Sequence, residues 1–221
     1  MIVGCAPSQD EFFAALVQEA QATQDSWRQV ELFHMDDYIG LTESHPQSFR
    51  SYLRRHFLNH IEVKTAHLMR AEASDPDAEA RRYGALLLAA PIDLICLGFG
   101  ENGHVAFNDP SEADFNDPLA VKIVEMDLVC RQQQVNDGCF PSIDAVPQRA
   151  LSITLPMFST ARMLSAVVPT TRKAAAVKAA LTGPIGEACP ASLIQRHPHA
   201  FVYLDTDAAS LLPAEFLTTR P

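Results

Sequence analysis

No apolar run in this 221-residue chain is long enough to span a bilayer. The amino terminus, Met1-Ile2-Val3-Gly4, lacks the basic stretch and apolar core of a secretory signal. Positive charge is scarce: 17 Lys and Arg stand against 27 Asp and Glu, a formal net charge of −10. That excludes the basic footprint of a nucleic-acid binder. An anionic ligand has to be captured by local groups against an unfavourable overall field. The five cysteines, Cys5, Cys96, Cys130, Cys139 and Cys189, are odd in number, and no pair has metal-site spacing. Cys96 sits in an apolar run, where a thiol acts as a small hydrophobe. A reducing cytoplasm is the expected setting, with neither nucleic acid nor membrane as partner. Repeats, low-complexity tracts and linkers are also missing, so one domain over residues 1–221 is expected.

What is present is ordinary for a soluble globular protein: 48% hydrophobic and 20% charged residues, in a chain long enough for a sizeable core. Helix and strand patterns alternate. Ser8 to Ala22 reads as a helix, with Ser8 and Glu11 at capping-box spacing. Val30 to Met35 reads as a strand ending at Asp36-Asp37-Tyr38. Pro46 to Asn59 contains a helix, and Ala78 to Ala90 is another. Ile92 to Leu97, Ala120 to Met126, Ala150 to Leu155, Met163 to Val168 and Ala200 to Leu204 read as strands, and Thr170 to Leu181 as an Ala-rich helix. The pattern predicts a doubly wound α/β fold, Rossmann-like in three layers, with a mostly parallel sheet and helices on both faces. Ile2-Val3 reads as the tail of a strand, with a first strand and helix missing before it.

The most informative stretch is Gly98-Phe99-Gly100-Glu101-Asn102-Gly103-His104-Val105-Ala106-Phe107-Asn108-Asp109-Pro110. It follows an apolar run that reads as a buried parallel strand. Its glycines, Gly100 and Gly103 among them, let the backbone turn sharply and approach a ligand. His104 could both take and return a proton near neutrality, and Asp109 could orient it. A Gly-rich turn with a surface histidine is the alternative. Asp36 and Asp37 stand at a strand end, where such folds place ligand-facing carboxylates. Successive strand residues face opposite sides, so one of the two is inward and functional, the other structural or solvated. An acidic turn before Gly40 fits the same residues.

Gly4-Cys5-Ala6-Pro7 has strand–loop–helix character, and a helix start there would offer free N–H groups to phosphate. An ordinary βα turn fits it too. Lys173 begins a helix, where a cation opposes the helix dipole and favours a bound anion. Arg131-Gln132-Gln133-Gln134 is either a solvated face or a polar ligand wall.

Together these residues resemble the glucosamine-6-phosphate deaminase/isomerase family, which also contains the 6-phosphogluconolactonases. His34-Met35-Asp36-Asp37-Tyr38-Ile39-Gly40-Leu41 is similar to the family segment Asn-Met-Asp-Glu-Tyr-Val-Gly-Leu. Gly100 to Pro110 is similar to Gly-Asn-Asp-Gly-His-Ile-Ala-Phe-Asn-Glu-Pro. The segments Ser44 to Phe49 and Val146 to Leu151 align as well. The resemblance implies an enzyme acting on a phosphorylated amino sugar without metal or organic cofactor, and a possible homo-oligomer. It implies that His104 opens the sugar ring and that Asp36 moves the C2 proton to C1, releasing ammonia. It makes Asn102 and Asp109 partners of His104, and Gly4, Ala6, Asp37, Gly100, Gly103, Arg131, Gln134 and Lys173 substrate contacts.

Three departures weaken the simplest version. Asn102 stands where the family has an aspartate and cannot ionise. Loss of the orienting aspartate costs about 10⁴ in a serine-protease triad, so ring opening is expected to be impaired unless Asp109 or Glu101 compensates. Asp109 replaces a glutamate and reaches about 1.5 Å less far. The family's phosphate arginine falls near Gln134, with Arg131 one turn away. Three readings follow: a deaminase/isomerase, a related sugar-phosphate isomerase or lactone hydrolase, and a non-catalytic sugar-phosphate binder.

Overall fold

Strands and helices alternate along residues 1–218, the part of the chain that the computed structural model describes. The strands are β1 (Ile2–Val3), β2 (Glu31–His34), β3 (Asp36–Tyr38), β4 (Thr65–His67), β5 (Ile95–Leu97), β6 (Val121–Glu125), β7 (Arg149–Ile153), β8 (Leu164–Val168) and β9 (Ala200–Leu204). The helices are α1 (Asp10–Ala22), α2 (Gln24–Trp27), α3 (Phe49–Leu53), α4 (Pro76–Leu87), α5 (Leu128–Asn136), α6 (Leu155–Thr160), α7 (Ala174–Thr182) and α8 (Ala214–Thr218).

Six strands form one parallel sheet in the order β4-β2-β1-β5-β8-β9. The chain runs outward from β1 through β2 to β4. It then returns, pairs β5 with β1, and runs outward the other way. That reversal opens a crevice beyond the carboxyl ends of β1 and β5, where ligands bind in open α/β sheets. Side chains alternate between two cores, as strand geometry demands. Ile2, Phe33, Ile95 and Leu97 pack with α4, α6 and α7. Val3, Leu32 and Cys96 pack with α1 and α3. The expected doubly wound, mostly parallel architecture is therefore present.

Two strands expected in that sheet lie elsewhere. β6 and β7 pair antiparallel with each other, and β7 pairs antiparallel with β3, in a second sheet ordered β3-β7-β6. Short half-buried strands carry no mark of their partner's direction. Asp36 is thus the first residue of a strand in this small sheet and not the end of β2. Met35 joins the two sheets: its N–H donates to Val3 O at 3.2 Å, and its O accepts from Ile153 N at 2.9 Å.

Helix starts differ in detail. The Ser8–Glu11 capping box does not form. A 3₁₀ turn at Pro7–Gln9 precedes α1, and its cap residue makes no side-chain bond. Ser48, Asp75 and Asp127 cap α3, α4 and α5 through their side chains. No helix among the described residues is long and apolar enough to cross a membrane.

Candidate active site

The loops after β1 and β5 form the floor of a cleft at the crevice. Its lining includes Gly4, Cys5, Ala6, Ser8, Gln9, Met35, Asp36, Phe49, Gly98, Gly100, His104, Ala106, Gln133, Gln134 and Lys173. Glycine is required at Gly100 for a steric reason. A Cβ there would stand 2.2–2.4 Å from three atoms of the His104 ring. The ring lies directly on the backbone of the turn. Gly103 has φ +81°, and a Cβ would meet Cys189 Sγ at 2.6 Å. The turn continues through Ala106 at φ 50°, a left-handed conformation that L-residues adopt at a cost. Asn108 holds it there, donating from Nδ2 to Val105 O at 2.9 Å and Ile153 O at 2.8 Å.

Asp36 and Asp37 take opposite sides, as adjacent strand residues must. Asp36 lines the cleft, and its carboxylate has no hydrogen-bond partner among the described residues. Burial, aided by the charge of Asp37, raises its pKa well above the usual carboxylate range. Asp37 is turned away from the cleft. It accepts from Tyr38 N, Phe49 N and Arg50 Nε at 2.9, 3.0 and 2.9 Å. Burial pushes its pKa to about 6, against the pull of Phe49 N–H and Arg50. It is a structural residue, correcting its expected place among the substrate contacts. The sequence also gave no sign that His34 positions Asp36. His34 Nδ1 lies 2.8 Å from Asp36 O, while Nε2 accepts from Met69 N at 2.9 Å.

His104 faces the cleft with Asp109 behind it. Asp109 Oδ1 lies 3.0 Å from His104 Nδ1. The contact is close but poorly aligned for a hydrogen bond. The shorter aspartate therefore still reaches the imidazole. Burial raises the Asp109 pKa, but His104, Asn102 and the Asp127 N–H outweigh it and hold it below the ordinary value. Asn102 donates to Asp109 Oδ1 at 2.9 Å and to Asp127 Oδ2 at 3.1 Å. Asp127, which cues in the sequence did not single out, thus joins the group.

Lys173 lies in a 3₁₀ turn before α7, is 4% exposed, and reaches the cleft. Its ammonium has no hydrogen-bond or ion-pair partner among the described residues. Burial lowers its pKa. An isolated buried cation is costly, so its arrangement suits an anionic ligand. Gln133 and Gln134 form the polar wall. Gln133 Oε1 accepts from Glu101 N at 2.9 Å, and Gln134 Oε1 from Tyr38 Oη at 2.8 Å. Arg131 is not part of that wall. Its guanidinium donates to Ile143 O and Val146 O at 2.6 and 3.2 Å, fastening the segment after α5. One turn on a helix redirected it, which an alignment cannot resolve.

His104, Asp109 and Cys130 place three potential metal ligands within 4.8 Å of one another. Burial pushes the Cys130 thiol well above its ordinary pKa, and a thiol must ionise to ligate. Both Asp109 oxygens already accept hydrogen bonds. The Asp109 carboxylate is thus held by Asn102 and the Asp127 N–H, with His104 Nδ1 in close contact at 3.0 Å.

Fold and site together define an α/β protein with acid–base groups and a buried cation at the switch point of its sheet. The family described as glucosamine-6-phosphate isomerases/6-phosphogluconolactonase matches residues 7–203, and the chain belongs to it. A glucosamine-6-phosphate deaminase of Exiguobacterium sibiricum is 33% identical over 188 residues, 85% of this chain and 73% of that protein. One from Hahella chejuensis is 36% identical over 203 residues, 90% and 76% of the two chains. Among solved structures, a monomeric glucosamine-6-phosphate deaminase superposes with a TM-score of 0.85 at 29% identity, covering 95% of this chain and 87% of that one. A 6-phosphogluconolactonase of Leishmania guyanensis shares the fold, with a TM-score of 0.73 at 16% identity over 96% and 86% of the two chains.

Proposed function

We propose that this protein converts glucosamine 6-phosphate, or a closely similar amino-sugar phosphate, to a ketose phosphate and ammonia. The observation that carries this reading is the Asp36 carboxylate. It is buried, has no hydrogen-bond partner among the described residues, and is turned into the same cleft as His104 and Lys173. Lactone hydrolysis needs an activated water but no base for a carbon-bound proton. Simple binding needs neither. A partner-free carboxylate with a raised pKa suits proton abstraction next to a carbonyl or imine.

Lys173 and the turn at Gly4 to Ala6 hold the phosphate, and Gln134 adds polar contact. His104, charge-balanced by Asp109, moves a proton between the ring oxygen and the C1 hydroxyl and opens the ring. Asp36 takes the proton from C2, giving an enolamine, and returns it at C1. Water adds to the resulting C2 imine, and the carbon–nitrogen bond breaks to release ammonia. Gly100 and Gly103 shape the turn beneath His104.

Purified protein incubated with glucosamine 6-phosphate is expected to release ammonia and fructose 6-phosphate in equal amounts. Hydrolysis of 6-phosphogluconolactone with no ammonia from the amino sugar would replace this reading with the lactonase one.

A further inference from the structure

Asn102 is held from three directions. Nδ2 donates to Asp109 and Asp127, and Oδ1 accepts from His104 N at 3.1 Å. Asp127 is engaged on every side too. Its Oδ1 caps α5 by accepting from Cys130 N at 2.7 Å, and its N–H donates to Asp109 Oδ2 at 3.1 Å. Asp109, Asn102 and Asp127 thus close a ring of contacts, with His104 resting on Asp109. An ionised carboxylate has no proton to donate. An aspartate at 102 would bring three carboxylates together at these distances, and one would have to take a proton or move away.

We propose that Asp127 is a positioning residue of the His104 relay and that Asn102 is the neutral bridge it requires. The second negative charge of the relay comes from a helix cap instead of the glycine loop. Asparagine at 102 is then matched to Asp127 and is not a defect. The effect on turnover rests on the proposed deaminase reading; the bridge itself does not. The titratable groups facing the bridge are His104 and Asp109 from the loop, Asp127 at the cap of α5, and Cys130 within α5. Burial keeps the Cys130 thiol protonated, so the carboxylates set the charge.

The test compares wild type, Asn102→Asp, Asp127→Asn and the double variant. Asparagine caps helices as well as aspartate, so Asp127→Asn leaves α5 capped. Urea unfolding is followed from about pH 4 to pH 8. Asn102→Asp is expected to lower the urea midpoint near pH 7.5. The new carboxyl has a folded pKa raised by its neighbours, so its cost is present at neutral pH and vanishes as it protonates in acid. The double variant exchanges amide and carboxylate, and at least half of the lost midpoint is expected to return. Turnover is expected to follow: Asn102→Asp loses about tenfold or more in kcat with KM little changed, and the double variant regains part of that loss.

A midpoint difference that does not depend on pH, strictly additive losses in the double variant, or a gain in turnover for Asn102→Asp alone would overturn the proposal. If Asn102→Asp does not fold near pH 7.5, recovery in the double variant supports the bridge and continued failure overturns it. Should wild type not turn over the amino-sugar phosphate, the deaminase reading fails, and unfolding still decides the bridge.

Discussion

Arg50 Nε donates to Asp37 Oδ2 at 2.9 Å, and the two side chains are 2% and 0% exposed. The same guanidinium bonds Leu41 O at 2.6 Å and Glu72 Oε2 at 2.5 Å. This buried pair stands one residue from Asp36 and fixes the backbone that aims it. Removing one partner of a buried pair leaves an uncompensated charge. Arg50→Ala is expected to lose about 3–5 kcal/mol of stability, read from urea unfolding near pH 7. Substrate affinity in whatever fraction remains folded is expected to change far less, because Asp37 does not touch the cleft.

Gly100→Ala tests the seat of His104. The added methyl cannot coexist with the ring, whose atoms lie within 2.4 Å of it. Displacing the imidazole by about 1 Å is expected to cost about 10²-fold in kcat. Gly186→Ala, where nothing lies within 4 Å of the added carbon, is the control and is expected to match wild type. Circular dichroism checks that both variants fold.

Lys173→Met removes a buried cation that has no protein partner among the described residues. Stability is expected to rise modestly, since the desolvated charge is gone. KM for the sugar phosphate is expected to rise by about 10²-fold, consistent with loss of a charge-assisted hydrogen bond of about 1.5–3 kcal/mol. Calorimetric unfolding and initial rates measure the two effects, which run in opposite directions.

His34 makes stability fall in acid. Burial lowers its pKa from 6.5 to about 4. Below about pH 6.5 the unfolded chain takes up this proton while the folded protein stays neutral, so stability is lost until the folded group protonates near pH 4. The full effect is about 3 kcal/mol. Asp37, with its pKa raised to about 6, works in the opposite sense over an overlapping range. The comparison therefore needs a variant. His34→Asn is expected to show a smaller loss between pH 6.5 and 4 than wild type, measured as urea midpoints.

Asp36 must be ionised to accept a carbon-bound proton. Its raised pKa places the acid limb of kcat/KM above the range of an ordinary carboxylate. Activity is expected to fall as the pH drops through that limb. A limb at the usual aspartate position would show that Asp36 is not desolvated in the working enzyme.

Much of this was legible before the structure. The glycine stretch after an apolar run predicted the loop at a strand's carboxyl end, and alternation at the end of the expected Val30–Met35 strand predicted that one of Asp36 and Asp37 faces inward, although the family resemblance had placed Asp37 among the substrate contacts. Strand direction was not legible: Val121–Glu125 and Arg149–Ile153 pattern like parallel core strands but pair antiparallel. Arg131 and Gln134 stand one helical turn apart, and only packing decides which of them meets the cleft. Asp127 was not singled out, since nothing local announces that one of its oxygens reaches Asn102 across 25 residues of chain.

The central claim is that Asp36 removes the C2 proton of an amino-sugar phosphate. Loss of tritium from C2 of labelled glucosamine 6-phosphate, summed over label found at C1 of the ketose phosphate and in water, measures that step directly. Wild type is expected to move label off C2 as ammonia forms, and Asp36→Asn to bind the sugar, keep the label at C2 and release no ammonia. Undiminished loss of label from C2 with Asp36→Asn would contradict the assignment.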